Sequence, residues 1–119
     1  MEIIKSIKGD ETILRLIGWL DTQAAPELAA EIENISGEGS LIMDLGSLEY
    51  ISSSGLRQIV AAYKKFEGRI VLKKVNPGTL DILKTTGLDK RIRIEDEDEK
   101  TEILTEEKTE ILTNDSTAE

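Results

Sequence analysis

The segment from Leu41 to Leu56 constrains the fold more than any other part of the chain, because a strand pattern in it leads into a helix pattern. Residues 40–45 have the apolar character of a buried strand, and a short polar connection follows them. Three serines and a glycine, Ser52 to Gly55, then precede apolar residues at helical spacing, namely Leu56, Ile59, Val60 and Tyr63. The serines are therefore predicted to lie where a helix begins, over residues 54–66.

The other parts of residues 1–94 repeat this alternation of strands and helices. Further strand patterns cover residues 3–8, 12–19, 69–73 and 92–94, and Gly9 to Glu11 predicts a hairpin turn between the first two. Helix patterns begin at Asp21 or Thr22 and at Asn76, and the first of them carries an apolar face of Ala24, Leu28, Ile32 and Ile35. Strands that alternate with helices favour crossover connections. The sequence therefore predicts an α/β fold with a mixed, largely parallel sheet of four to five strands and helices packed on it.

Polar residues follow two of the predicted strands. Asp21 comes after one strand, and Ser52 to Ser54 come after another. In open α/β sheets, sites gather at the carboxyl ends of the strands, so these residues are expected at one edge. Asp21 is expected to cap its own helix, and it could also influence the surroundings of the serines if the two strands are neighbours.

The start of the serine helix has two interpretations from its residues alone. The first N–H groups of a helix lack intrahelical partners and the helix dipole is positive there, which favours a serine cap and also a phosphate. Ser-Ser-Ser-Gly is equally consistent with a cap and a tight turn that have no further role. A hydroxyl at this position can nevertheless serve as a charge switch.

Composition excludes several function classes. The chain contains no histidine and no cysteine, which removes disulfides, thiolate catalysis and the usual general base at neutral pH. Apolar runs stay far below the roughly 20 residues of a membrane-spanning helix, and residues 1–5 lack the apolar block of a signal peptide, so a cytoplasmic location without direct membrane insertion is expected. Residues 1–94 contain 13 acidic and 13 basic side chains, which gives no basic surface for nucleic acid.

Two motifs in the same order resemble the STAS domain, the family of bacterial anti-sigma-factor antagonists. The segment from Leu14 to Asp21 resembles the family's strand that closes in Gly-x-Leu-Asp. Met43 to Leu45, followed by Tyr50 to Leu56, resembles its Asp-Leu strand and Asp-Ser-Ser-Gly-Leu helix start. The resemblance covers residues 1–94 and implies a single STAS-like domain. Ser52 stands where the family usually has Asp. Trp19 stands where it commonly has a polar or charged residue, so that Trp19 could belong to a docking surface or could simply pack against the domain.

The resemblance implies a switch without catalytic activity or a cofactor. The unphosphorylated protein would bind an anti-sigma factor with serine kinase activity, phosphorylation of Ser53 would release it, and a serine phosphatase would reset it. Asp21, Ser52, Ser54 and Gly55 would support the site or contact the partner, with Ser54 as a neighbouring turn or cap residue. Arg57, four residues after Ser53, could pair with the phosphate or with an acidic partner group, or remain a solvated surface residue. The alternative is a constitutive accessory subunit of a transporter or of a larger signalling assembly.

The C-terminal residues 95–119 form an acidic tail that the resemblance does not cover. They contain 11 acidic and two basic side chains, and the unit Thr-Glu-Ile-Leu-Thr occurs in them twice. This composition predicts disorder. Two other interpretations are a helix that docks through its Ile and Leu residues, and a tandem motif that a peptide-reading module recognises through phosphorylated threonines. The threonines concerned are Thr101, Thr105, Thr109 and Thr113.

Overall fold

Five strands and three helices are formed by residues 1–95, which are the residues that the computed structural model describes, and strands and helices alternate after the first two strands. The strands are β1 (Glu2–Lys8), β2 (Glu11–Leu20), β3 (Ser40–Ile51), β4 (Ile70–Lys73) and β5 (Arg93–Glu95). The helices are α1 (Ala25–Glu33), α2 (Ser53–Lys65) and α3 (Pro77–Thr86), and a short 3₁₀ turn at Leu88–Lys90 leads from α3 to β5. Glu95, assigned to the tail from the sequence, is thus the last residue of β5.

The strands form one sheet in the order β1-β2-β3-β4-β5. β1 pairs with β2 antiparallel, and the other three pairings are parallel. This arrangement confirms the predicted mixed, largely parallel sheet. Each helix connects a strand to its next neighbour in the same direction, so the right-handed crossover rule places all three helices on one face. Burial along β2 agrees, because Leu14 and Leu16 are buried while Arg15 between them is exposed.

The core lies between the sheet and the helices. Its fully buried side chains include Leu41 and Met43 from β3, Ile59 and Phe66 from α2 and its end, and Leu83 from α3. The face predicted for the first helix is buried as well. Each buried Leu, Ile or Phe contributes about 1.5–3 kcal/mol, so this continuous cluster dominates the stability of the domain.

The third strand is longer than the sequence predicts. The prediction ended it at Leu45, but β3 continues to Ile51. Two irregularities in its pairing with β2, beside Leu16 and beside Trp19, let the 12 residues of β3 run alongside the 10 residues of β2. The bulges break the two-residue alternation, so that Leu45 and Leu48 are both buried although they are three residues apart. The residues between Leu45 and Leu48 have the composition of a loop, which is why the sequence predicted a connection there.

The first helix begins later than predicted. Asp21 or Thr22 was expected as its cap, but α1 begins at Ala25, and Ala24 is the N-cap without a side-chain hydrogen bond. Pro26 explains the difference. Proline is tolerated in the first helical turn because its missing N–H would have no partner there, but it disrupts a helix interior. A helix that began at Asp21 would place Pro26 beyond that first turn.

Candidate functional site

The site is built by two parallel strands that end together. Leu20 at the end of β2 is opposite Ile51 at the end of β3. The next residue, Ser52, donates its backbone N–H to the carbonyl oxygen of Leu20 at 2.9 Å. Asp21 and the serines therefore leave the sheet at one edge, as predicted. The structure adds that their strands, β2 and β3, are direct neighbours.

Ser52 caps the helix that follows it. Its backbone is extended, with φ −92° and ψ 171°, and its Oγ accepts a hydrogen bond from the Gly55 N–H at 3.1 Å. Its carbonyl oxygen accepts the first backbone bond of the helix, from the Leu56 N–H at 2.9 Å. Ser52 thus performs the capping that the family's Asp would perform, without bringing a negative charge.

Ser53 is the first residue of α2, one position earlier than the predicted start, and its side chain is exposed. Ser54 is half-buried within the first turn. Of the two roles expected for Ser54, turn residue or cap, the cap belongs to Ser52, and Ser54 lies in the first helical turn. The first turn of α2 contains no acidic side chain. A negative charge on Ser53 would therefore meet the positive end of the helix dipole with no carboxylate in the same turn.

Gly55 allows the helix to approach the sheet. The glycine is buried, and a Cβ atom on it would lie 2.5 Å from Leu20 Cγ and 2.8 Å from the Leu20 carbonyl oxygen. No side chain fits in that space. Gly55 therefore places the start of α2 directly against the end of β2, which fixes where Ser53 emerges.

Asp21 is engaged with its own turn. Its Oδ1 accepts hydrogen bonds from the backbone N–H of Gln23 at 3.1 Å and of Ala24 at 2.9 Å. The carboxylate thus stabilises the turn between β2 and α1. Its charge nevertheless lies next to the serine edge, because Asp21 directly follows the residue that accepts the Ser52 N–H.

The basic residues of α2 have different environments. Arg57 is exposed and lies one helical turn after Ser53, on the same side of the helix. Lys65 lies near the end of the same helix and is engaged in a different contact. Its Nζ donates to the carbonyl oxygens of Ile32 at 2.7 Å and Glu33 at 3.2 Å, at the C-terminal end of α1. Lys65 therefore connects the end of α2 to the end of α1. Arg57 is the exposed basic residue of α2 that lies nearest to Ser53 in the chain.

Two aromatic residues at the same edge were not combined from the sequence. Trp19 and Tyr50 are backbone partners in β2 and β3, and their ring centroids are 5.4 Å apart with the planes tilted by 42°. Both side chains are exposed, at 57% and 47%. The sequence contained the signal, since each aromatic lies just before the end of its strand. It was missed because the predicted strand stopped at Leu45.

The start of α3 completes this edge of the sheet. Asn76 is its N-cap, and its Oδ1 accepts from the Thr79 N–H at 2.7 Å. Its Nδ2 donates to the Leu48 carbonyl oxygen at 2.9 Å, which ties the β4–α3 turn to β3. A groove of about 170 Å³ is lined by Tyr50, by residues at the start of α3 and by Ile82.

Two other expectations from the sequence concern the tail and the membrane. Thr101, Thr105, Thr109 and Thr113 lie outside the described residues. Within residues 1–95, no helix has the length and apolar character needed to span a membrane.

The sheet order and the serine-capped helix after β3 define an α/β domain of the STAS type. The family model for the STAS domain matches residues 2–100, so this chain belongs to the STAS domain family. A Bordetella bronchiseptica protein, BtrV, provisionally named an anti-sigma factor antagonist, is 35% identical over 68 residues. That match covers 55% of this chain and 57% of BtrV, so the chain spans little more than half the length of this relative.

Solved structures share the fold at lower identity. An anti-sigma factor antagonist from Mycobacterium paratuberculosis is 24% identical with a TM-score of 0.71, over 78% of this chain and 83% of that one. The Bacillus cell fate determinant SpoIIAA in its phosphorylated form is 22% identical with a TM-score of 0.67, over 82% of this chain and 93% of that one. At these identities the likeness establishes the fold alone.

Proposed function

We propose that this chain is an anti-sigma factor antagonist that works by partner switching, with Ser53 as the phosphorylated residue. The main support for this proposal is that two adjacent serines occupy different structural positions. Ser52 caps α2, and Ser53 is exposed at the first helical position. Modification of Ser53 therefore leaves the capping hydrogen bond intact. The name of BtrV and the likeness to a phosphorylated SpoIIAA support the same function.

The switch acts through charge at a docking surface. A phosphate adds about −1.5 to −2 charge at neutral pH, and the N-terminus of α2 can accommodate it. A partner that buries the neutral hydroxyl must desolvate that charge without pairing it, which costs several kcal/mol. A cost of about 3 kcal/mol weakens binding roughly a hundredfold. The partner therefore dissociates although the antagonist keeps its fold.

The proposed partners follow from this chemistry. The anti-sigma factor carries the serine kinase activity and holds ATP and magnesium, and a serine phosphatase removes the phosphate. The antagonist itself has no catalytic role. Without histidine, Ser53 would need a lysine as a base for nucleophilic chemistry. Lys65, one of the lysines on its own helix, already donates to the end of α1.

The experiment that tests this function uses the full chain with the anti-sigma factor kinases of its source organism. Each kinase is incubated with the chain and Mg-ATP, the phosphate is located by peptide mass spectrometry, and affinity is measured before and after modification. We expect one kinase to bind the unmodified chain, to phosphorylate Ser53, and to bind the product about a hundredfold more weakly. Ser53→Ala should abolish phosphorylation, whereas the matched variant Ser54→Ala should retain it.

Other outcomes would contradict the proposal. Phosphate on Ser54 or on the tail threonines would move the regulation away from Ser53. Binding that is the same for wild type and Ser53→Glu would favour the constitutive accessory subunit, whose support is the missing family carboxylate at Ser52. Co-purification with membrane components would then identify a transporter assembly.

A further inference from the structure

The serine edge carries an exposed aromatic patch, defined here as Trp19, Tyr50 and Ile82. Residues 1–95 expose two further large apolar side chains, Ile4 and Ile7, and both lie on β1. The aromatic residues of the whole chain number only four. Phe66 is fully buried and Tyr63 packs against the core. The single tryptophan and one of two tyrosines are therefore exposed together at the edge that contains Ser53.

The backbone positions these two rings. Trp19 follows Gly18, which has a positive φ of 104°, and a pairing irregularity lies between Gly18 and Trp19. The corresponding extra residue on β3 is Glu49, directly before Tyr50. Bulges of this kind reorient side chains, and here they leave two successive residues of β3 exposed before Ile51 is buried. Both rings lie outside the buried core and remain about half exposed. Exposed Trp and Tyr side chains of this kind are enriched at interfaces.

The patch adjoins the phosphorylation site. Trp19 precedes Leu20, whose carbonyl oxygen accepts the Ser52 N–H, and Tyr50 lies two residues before Ser52. A partner in an interface of ordinary size covers about 800 Å² on this chain, a disc roughly 16 Å in radius. A partner centred on Ser53 therefore reaches the rings. Ile7 pairs with Thr12, seven residues along β2 from Trp19, which is about 23 Å at the rise of a strand.

We propose that the aromatic patch is the affinity anchor for the same anti-sigma partner that covers Ser53. This inference rests on the proposed function and extends it by separating two tasks. The rings supply binding energy through an apolar pocket of the partner that also offers an acceptor to the indole N–H, as aromatic hot spots commonly do. Phosphorylation of Ser53 offsets that binding energy, because the phosphate must be desolvated next to the anchor.

The experiment compares Trp19→Ala with Ile7→Ala, which truncates an apolar side chain that is 69% exposed at the far end of the hairpin. Affinity for the partner kinase is measured with the full chain, together with circular dichroism and thermal unfolding. We expect Trp19→Ala to weaken binding at least tenfold in a domain that is still folded at the temperature of the binding assay, and Ile7→Ala to weaken it less than twofold. Tyr50→Ala should resemble Trp19→Ala, since the rings contact each other.

A direct probe keeps the test valid if a substitution disturbs folding. Because Trp19 is the only tryptophan, 5-fluorotryptophan in the otherwise unaltered chain gives a single fluorine NMR signal. We expect the partner to shift that signal and phosphorylation of Ser53 to abolish the shift. Other occupants would overturn the inference: a second copy shifts the signal with protein concentration alone, and the chain's own tail shifts it until residues 96–119 are deleted.

The two proposals fail in different ways. If wild type binds, Ser53→Glu does not bind, and Trp19→Ala binds like wild type, only the anchor is wrong. If Ser53→Glu binds the partner like wild type, the proposed switch is wrong, whatever the effect of Trp19→Ala.

Discussion

Two helices begin at the same edge of the sheet, and their starts differ in one decisive residue. α2 follows β3 and α3 follows β4, which are parallel neighbours. Both caps have extended backbones and accept a hydrogen bond from the N–H three residues later, Ser52 from Gly55 and Asn76 from Thr79. The next residue is Ser53 in α2 and Pro77 in α3. One start therefore presents a hydroxyl, and the other presents a ring that cannot be phosphorylated.

The comparison shows why a helix N-terminus alone does not define a switch. Both starts provide the positive dipole end and a neutral cap. At α3 the cap also supports tertiary structure, because Asn76 Nδ2 donates to Leu48. At α2 the cap is local, and the following serine is exposed. Regulation becomes possible where capping and modification fall on different residues.

The largest expected effect concerns the glycines in the two first turns. Gly55→Ala should destabilise the domain by about 3 kcal/mol, the upper end for an overpacked site, because its Cβ would overlap Leu20. Gly78→Ala should be neutral or stabilising by up to about 1 kcal/mol, because its Cβ would meet only Asn76 Oδ1 at 3.5 Å and alanine favours the helix. Urea unfolding measures both. Equal costs would mean that the two helix starts pack on the sheet with similar room.

Removal of the two helix caps should produce a smaller difference in stability than the two glycine substitutions. Asn76→Ala removes a cap and the bond to Leu48, so we expect a loss of about 2 kcal/mol, against about 1 kcal/mol for Ser52→Ala. Asn76→Ser keeps a capping oxygen but lacks the amide donor, so it should fall between wild type and Asn76→Ala. If Ser52→Ala cost as much as Asn76→Ala, Ser52 would have a tertiary role beyond its local bond.

The sequence predicted the parts of this edge that depend on local patterns. The alternation of strands and helices, the apolar face of the first helix and the meeting of Asp21 with the serines at one sheet edge follow from periodicity and crossover rules. The end of β3 and the start of α1 could not be predicted in the same way. Leu45 and Leu48 are both buried only because a bulge interrupts the alternation, and the register that creates the bulge comes from the partner strand β2.

The contact between Trp19 and Tyr50 was not predicted from the sequence for the same reason. Their positions in the chain are visible, but their contact depends on two extra residues in β3. The role of Gly55 illustrates another limit. The family motif pointed to Gly55. The physical reason for a glycine there is that Leu20, on another strand, occupies the space that a Cβ atom would need. Local patterns identify elements, and long-range register decides which side chains meet.

The smallest expected effect tests whether the proposed switch acts on the partner or on the fold. Ser53→Glu places a negative charge at the first position of α2, where the dipole should stabilise the domain by about 0.3–1 kcal/mol at low salt. The gain should shrink above about 0.15 M salt, because Ser53 is exposed and screening is effective there. Ser53→Ala is the neutral control. Ser54→Glu is the positional control, and it should destabilise because Ser54 is half-buried.

The sign of the Ser53→Glu effect matters more than its size. A stabilised or unchanged domain that no longer binds its partner would mean that the charge acts across the interface, as an exposed first residue beside an intact Ser52 cap requires. A domain destabilised by Ser53→Glu would mean that the charge disturbs the start of α2 itself. Release would then proceed through loss of the docking surface, and the proposed separation of the Ser52 cap from the Ser53 switch would not explain the regulation.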